Sequence, residues 1–229
     1  MKKHALIMAG GVGRRAGTPE PKQLQTLCGL PMLWHSVRAF HSEDTDTEIV
    51  IVMHPDYFDR WDELASTLLT PADREINYRL VAGGKDRGES VANGLNSISC
   101  DIDSLVAVHD AARPMVTVEM IARGWAEAAK HGACVPVVPV TDSLREVSGQ
   151  ESRAVDRSRF VAVQTPQVFR GDILRDAYAL PSSPVYTDDA SRVEACGVKV
   201  ALYEGEPSNI KVTNPMDFAI AEALLQGTK

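Results

Sequence analysis

His4-Ala5-Leu6-Ile7-Met8-Ala9-Gly10-Gly11-Val12-Gly13-Arg14-Arg15-Ala16-Gly17 is the stretch that sets the fold. Ala5 to Met8 is apolar enough for a strand buried on both faces, and too short for the core of a signal peptide. Glycines directly after a first strand let the backbone approach a phosphate and aim N–H groups at it. Gly11 to Ala16 formally fits the dinucleotide fingerprint G-x-G-x-x-A, so an oxidoreductase has to be weighed. Pro19 and Pro21 count against it, because that fingerprint needs a helix opening at the glycines. It also needs an acidic residue about 20 positions on, at the end of the second strand, and here that strand ends near Met53. No Walker A pattern can be written. What remains is a long phosphate wrap closed by Arg15 and Lys22.

Working outward, short apolar runs alternate with helical patterns. Ile49–Met53, Leu105–Val108, Ala133–Val140 and Val198–Tyr203 read as buried strands, and Ile76, Tyr78 and Leu80 as a strand with one wet face. Leu30, Leu33, Trp34 and Val37 follow the helical period, with Pro31 in the first turn. Tyr57, Trp61, Leu64 and Leu68 mark a second helix, Val91, Leu95 and Ile98 a third, and Ile121, Trp125 and Ala128 a fourth. Thr187 can cap a helix that stops at Gly197, and Asn214-Pro215 starts a last one running to Leu225. This rhythm predicts a doubly wound α/β fold with a mostly parallel sheet, in a single domain over residues 1–229. Thr141 to Arg159 is too polar to contribute much core, and it reads as a loop or protruding arm.

The balance of 24 Lys+Arg against 31 Asp+Glu, a formal charge of −7, argues against a nucleic-acid or membrane-surface protein. Anionic ligands would need positive charge concentrated locally. Cys28, Cys100, Cys134 and Cys196 are too dispersed for a zinc site or a disulfide framework, so four reduced thiols and a cytoplasmic location are expected. No stretch approaches the ~20 apolar residues of a membrane span.

Further motifs follow in order: Gly83-Gly84-Lys85-Asp86-Arg87-Gly88-Glu89-Ser90-Val91, His109-Asp110-Ala111-Ala112-Arg113-Pro114, Val155-Asp156-Arg157, Gln164-Thr165-Pro166-Gln167, Thr187-Asp188-Asp189-Ala190-Ser191 and Asn209-Ile210-Lys211-Val212-Thr213. With the glycine loop and Pro21-Lys22-Gln23-Leu24, this set resembles the 2-C-methyl-D-erythritol 4-phosphate cytidylyltransferase family from about Leu6 to Leu225. The resemblance implies a nucleotide-diphospho-sugar transferase-like fold and a reaction of CTP with methylerythritol phosphate that needs Mg²⁺ and releases pyrophosphate. It implies that Arg15 and Lys22 stabilise the transition state and that Gly10, Gly11, Val12, Gly13, Gly84 and Ser90 cradle the nucleotide. By the same likeness Asp110 holds the metal, with Ala111 and Arg113 beside it. Arg157 and Lys211 position the methylerythritol phosphate, helped by Thr165 and Thr187, and Ser143 joins the substrate site. It also implies a homodimer whose arms reach into shared active sites. Ala9-Gly10-Gly11 suits ribitol-phosphate cytidylyltransferases as well, so ribitol phosphate or another polyol phosphate stays open as the acceptor. Lys85 stands where relatives commonly carry Asp, and Ser143 where Thr is common.

The residues support phosphate chemistry independently. The second pKa of a phosphate monoester is near 6, so the nucleophile is already ionised at pH 7 and no general base is needed. The histidines form no triad-type constellation. Arg15, Lys22, Arg113, Arg157 and Lys211 can supply the cations that such a reaction requires. His109 is expected to be a satisfied core or turn histidine, and Trp34, Trp61 and Trp125 to be core. Asp188 and Asp189 can be read as favourable charges on a helix N-terminus.

Overall fold

Runs of β-branched and leucine side chains that lose free energy in water build the centre of a sheet, and amphipathic helices cover both of its faces. A computed structural model of the protein describes residues 1–10, 21–181, 183 and 185–227. The first half contains β1 (Lys2–Met8), β2 (Thr26–Leu27), β3 (Leu30–Pro31), α1 (Met32–Glu43), β4 (Glu48–Met53), α2 (Phe58–Leu68), α3 (Pro71–Arg74), β5 (Tyr78–Ala82), α4 (Arg87–Asn96) and β6 (Ser104–Asp110). After these come α5 (Val118–His131), β7 (Ala133–Pro139), β8 (Arg145–Ser148), β9 (Glu151–Ala154), β10 (Val161–Val163) and β11 (Gln167–Arg170). The chain ends with α6 (Gly171–Ala179), α7 (Asp189–Glu194), β12 (Ala201–Glu204) and α8 (Pro215–Gly227).

β5, β4, β1 and β6 lie side by side in that order and are all parallel. The chain therefore winds outward from β1 to β5 and returns to the other side of β1 with β6. The winding reverses between β1 and β6, and open α/β sheets bind ligands at such a reversal, beyond the carboxyl ends of the strands. β11 joins β6 to β7 in antiparallel pairing, and β7 pairs β10 antiparallel and β12 parallel. The sheet is thus mixed, with the half formed by β5, β4, β1 and β6 all parallel.

Two-residue alternation divides the core. Ala5, Ile7, Ile49 and Ile51 face Leu33, Trp34, Phe40, Trp61 and Trp125, while Leu6, Val50 and Val52 face Val91, Leu95, Leu174 and Val193. Each large apolar side chain fully buried in this way contributes roughly 1.5–3 kcal/mol. The three tryptophans are core as expected, and each indole N–H is satisfied: Trp34 by Asp73, Trp61 by Tyr78 and Trp125 by Glu43.

Local signals place the helix ends. Asp86 accepts from the Glu89 N–H at 2.8 Å and starts α4; Thr117 accepts from the Met120 N–H at 3.1 Å and starts α5. α5 stops at Gly132, whose φ of +80° suits a residue without Cβ. Some expectations need correction. Pro31 is the extended residue before α1, not part of its first turn. Asp188, not Thr187, caps α7, through a reciprocal pair with Ser191, and α7 ends short of Gly197. The strand expected from Val198 begins at Ala201. The pattern of the sequence did not separate β10, β11 or α6, because short elements carry too few periods to stand out.

The polar excursion is an arm. β8 and β9 pair as a hairpin turning at Gly149, and all eight strand residues are exposed. Among the described residues no helix is long and apolar enough to cross a membrane.

Candidate functional site

At the reversal between β1 and β6, where Met8 pairs with Asp110, the sheet opens onto a cavity of about 390 Å³. Gly10 enters it from the end of β1, Gly84 and Ser90 from the turn into α4, Asp110 from the end of β6, and Lys22 and Lys211 from flanking segments. These six expected residues are brought together. Gly11, Val12, Gly13, Arg14 and Arg15 lie outside the described residues.

Asp110 is the electrostatic centre. Lys211 Nζ lies 2.7 Å from Asp110 Oδ2, and Arg87 Nε lies 3.8 Å from Oδ1. Burial pushes the Asp110 carboxyl up, but Arg87 and then Lys211 outweigh it and hold it below the ordinary carboxylate value. Lys211 is thus placed at the cavity as expected, as the counter-ion of Asp110. Lys22 Nζ donates to the Val212 carbonyl at 2.6 Å, which ties the segment after β1 to the one carrying Lys211.

Behind Arg87 stands Asp189, fully buried. Arg87 Nη1 and Nη2 donate to its two oxygens at 2.9 and 2.6 Å, and the Tyr178 hydroxyl donates to Oδ1 at 2.5 Å. Burial works against the Arg87 charge, but Asp189 more than offsets it, so the guanidinium stays protonated. Asp189 is therefore more than a helix-terminal charge: it fixes the cation that leans on Asp110. The sequence reading assigned no role to Arg87. Its signal was its place one residue after the Asp86 cap, on the first turn of a helix that follows two glycines.

Ser90 Oγ donates to the Asp86 carbonyl at 2.7 Å and accepts from the Gly84 N–H at 3.0 Å. Its proton is committed, so toward the cavity it offers an acceptor lone pair. A Cβ on Gly84 would sit 2.3 Å from Glu89 Cγ, so only glycine allows the Glu89 chain to fold over this turn.

Other expected residues lie elsewhere. Thr165 is buried behind the strand end: its Oγ1 accepts from the Asp110 N–H at 3.0 Å and lies 3.2 Å from His109 Nδ1. Ala111 is fully buried, and Arg113 donates through Nη1 to the Asn209 carbonyl at 2.8 Å. These three support the Asp110 turn without lining the cavity. Thr187 lines a neighbouring cavity with Arg192, Tyr178 and Tyr186. Ser143 and Arg157 are exposed on the arm segment, where Arg157 donates to the Thr141 carbonyl. In a single chain they do not reach the cavity.

His109 is a core histidine, as expected. The Arg113 carbonyl, 3.2 Å from Nε2, can only accept, so Nε2 carries the proton and Nδ1 accepts from Thr165. Burial pushes its pKa down to about 4.

Among the described residues no group of three or more His, Cys, Asp or Glu side chains is placed to hold a metal by itself. Mg²⁺ needs less, because it keeps waters and is commonly bound through one or two carboxylates plus substrate phosphates. The ionised, partly open carboxylate of Asp110 fits that mode.

A cation-lined crevice at the reversal of a doubly wound sheet, with glycines at its rim and no nucleophile–base pair among its described residues, defines a nucleotidyltransferase of the nucleotide-diphospho-sugar transferase type. The sequence profile described as 2-C-methyl-D-erythritol 4-phosphate cytidylyltransferase matches residues 3–227, and the chain belongs to that family. The protein of that name from Porphyromonas gingivalis is 44% identical over 98% of this chain and 98% of its own. Its namesake from Bacteroides thetaiotaomicron is 40% identical over 98% and 100%. The crystal structure of the Thermus thermophilus 2-C-methyl-D-erythritol 4-phosphate cytidylyltransferase superposes with a TM-score of 0.76 at 34% identity, covering 99% of this chain and 100% of that one.

Proposed function

We propose that this protein transfers the cytidylyl group of CTP to 2-C-methyl-D-erythritol 4-phosphate, giving 4-diphosphocytidyl-2-C-methylerythritol and pyrophosphate. The observation that carries the reading is the crevice at the carboxyl ends of β1 and β6 in which Arg87 and Lys211 flank the Asp110 carboxylate and Lys22 lines the same cavity. A phosphate oxygen of the acceptor attacks the α-phosphorus of CTP, and the bond to the β-phosphate breaks. With the nucleophile already ionised, the obstacle is charge: a dianion meets a tetra-anion. At an effective dielectric of ~20, each unit pair about 5 Å apart is worth roughly 3 kcal/mol, so several cations must converge. Lys22 acts on the α-phosphate as a mobile point charge, together with Arg15. Lys211 positions the acceptor phosphate. Gly10, Gly84 and Ser90 hold the nucleotide. Mg²⁺, held by Asp110 and the phosphates, would neutralise charge on the triphosphate.

The active form is read as a two-fold dimer with crossed arms. An exposed hairpin without a core of its own supports this, as does the uncovered apolar strip of Phe160, Val161 and Val163 at its base. Arg157 then serves the phosphate held by the partner's cavity. Mixing Lys22→Ala and Arg157→Ala proteins under subunit exchange tests this. Crossed arms give each mixed dimer one wild-type site, so random mixing restores roughly a quarter of normal activity. No recovery despite exchange would refute the crossed arms. Cytosolic residence accompanies the reading, in keeping with the free thiols of all four cysteines.

The activity is tested by incubating the protein with each nucleoside triphosphate and a panel of polyol phosphates, following pyrophosphate release. Release with CTP and methylerythritol phosphate is expected. Faster release with ribitol phosphate would move the acceptor, and none with any pair would sink the enzyme reading.

A further inference from the structure

We infer that Asn209 is a positioning residue for the reaction: through its side-chain amide it sets where Lys211 stands against Asp110, without lining the cavity itself; this rests on reading the crevice as the site of cytidylyl transfer. Lys211 lies between β12, which ends at Glu204, and α8, which starts at Pro215, so no helix or strand places it. Side chains fix that stretch instead. Gln164 Nε2 donates to the Glu206 carbonyl at 2.8 Å and its Oε1 accepts from the Glu206 N–H at 3.1 Å. A Cβ on Gly205 would meet that Oε1 at 2.7 Å, so glycine leaves room for the clamp. Past Lys211, the Val212 N–H donates to the Ala112 carbonyl at 2.8 Å. Between these two anchors stands Asn209, fully buried, whose amide donates to the Thr165 carbonyl at 2.9 Å. A carbonyl only accepts, so the donating atom is Nδ2.

That bond closes a ring. The Asp110 N–H donates to Thr165 Oγ1 at 3.0 Å, the Thr165 carbonyl accepts from Asn209, and Lys211 returns to Asp110 at 2.7 Å. The carboxylate and the cation that faces it are therefore both located from Thr165, and Asn209 is the member that joins the cation's segment to it. Arg113 braces the same point, donating to the Asn209 carbonyl at 2.8 Å. Asn209 Oδ1, by contrast, is buried without a hydrogen-bond partner among the described residues. A side chain that only filled space would have no reason to bury that oxygen, since an apolar one of similar size avoids the cost. What the amide supplies and leucine cannot is a directed N–H, which holds an irregular stretch in one geometry. The precision matters, because a displacement of ~1 Å at a positioned group can cost up to about a hundredfold in rate.

The test compares wild type with Asn209→Ala, which removes the amide, and Asn209→Leu, which keeps the bulk and guards against simple collapse of the site. In both, kcat/KM for the acceptor should fall roughly tenfold while KM for CTP stays within about twofold. In a Lys211→Met background the same Asn209→Ala change should cost less than about twofold, because the cation it positions is gone. Amide hydrogen exchange reads the placement without substrate. In Asn209→Ala the Val212 amide should exchange at least about tenfold faster, while the amides of β1 and β4 keep their rates. A loss of equal size with and without Lys211, or an unchanged Val212 rate, overturns the inference. So does equal loosening of β1 and β4, which would make Asn209 merely structural. A wild type that releases no pyrophosphate with any substrate pair overturns the function instead, and the exchange comparison still decides the placement.

Discussion

Arg87→Met and Asp189→Asn cut the same ion pair from its two ends, and the structure makes the cuts unequal. Asp189 is fully buried, whereas the Arg87 side chain remains 36% exposed. Removing one partner of a buried pair costs ~3–5 kcal/mol, most of it the penalty of an orphaned charge. Arg87→Met strands a buried carboxylate to which, among the described residues, the Tyr178 hydroxyl is the side-chain donor left, so about 3–4 kcal/mol is expected. Asp189→Asn strands a guanidinium that water reaches and that keeps Asp110 at 3.8 Å, while the amide oxygen can still accept one hydrogen bond. About 1.5–2 kcal/mol is expected there. For a chain of this size, ~2–4 °C of melting temperature per kcal/mol gives drops of about 10 °C and about 5 °C. Scanning calorimetry near pH 7.5 reads both. Equal drops, or a larger one for Asp189→Asn, would refute the reasoning that the buried anion is the vulnerable end.

Three further outcomes are expected. Lys22→Ala should lower kcat and kcat/KM together by at least about a hundredfold, since its charge matters most when the α-phosphate is five-coordinate; a rise in KM alone would make it a binding residue only. Asp110→Asn should move the Mg²⁺ titration of activity upward by about tenfold, and an unchanged titration would remove Asp110 from the metal site. His109 titrates near 4 when folded against an ordinary 6.5, so the unfolded chain takes up its proton first as pH falls. Its contribution to stability is full above pH 6.5 and declines by about 3 kcal/mol on the way to pH 4. Urea unfolding across that window should show a shallower slope in His109→Gln, and an identical slope would contradict the buried neutral ring.

The sequence by itself determined the strands at the centre of the sheet and the chemistry they carry. Ala5–Met8 and Ile49–Met53 can only be buried, because their apolar runs leave no face for water. Gly10 and Lys22 after the first strand, and Asp110 after His109, were legible because loops at strand ends carry the site in this topology. The exposed arm was legible too, since Thr141 to Arg159 has too little apolar surface to build a core. What only the tertiary structure decided is which charges meet. Arg87 and Asp189 are 102 residues apart, and neither helix pattern contains the other. Lys211 reaches Asp110, and Thr165 stands behind that carboxylate instead of beside it, because β6 is flanked by β1 on one side and by the antiparallel β11 on the other. Periodicity reports which face of an element loses water, a property of neighbours along the chain. Pairing of buried charges depends on the order in which strands join the sheet, and that order follows from packing the whole chain at once.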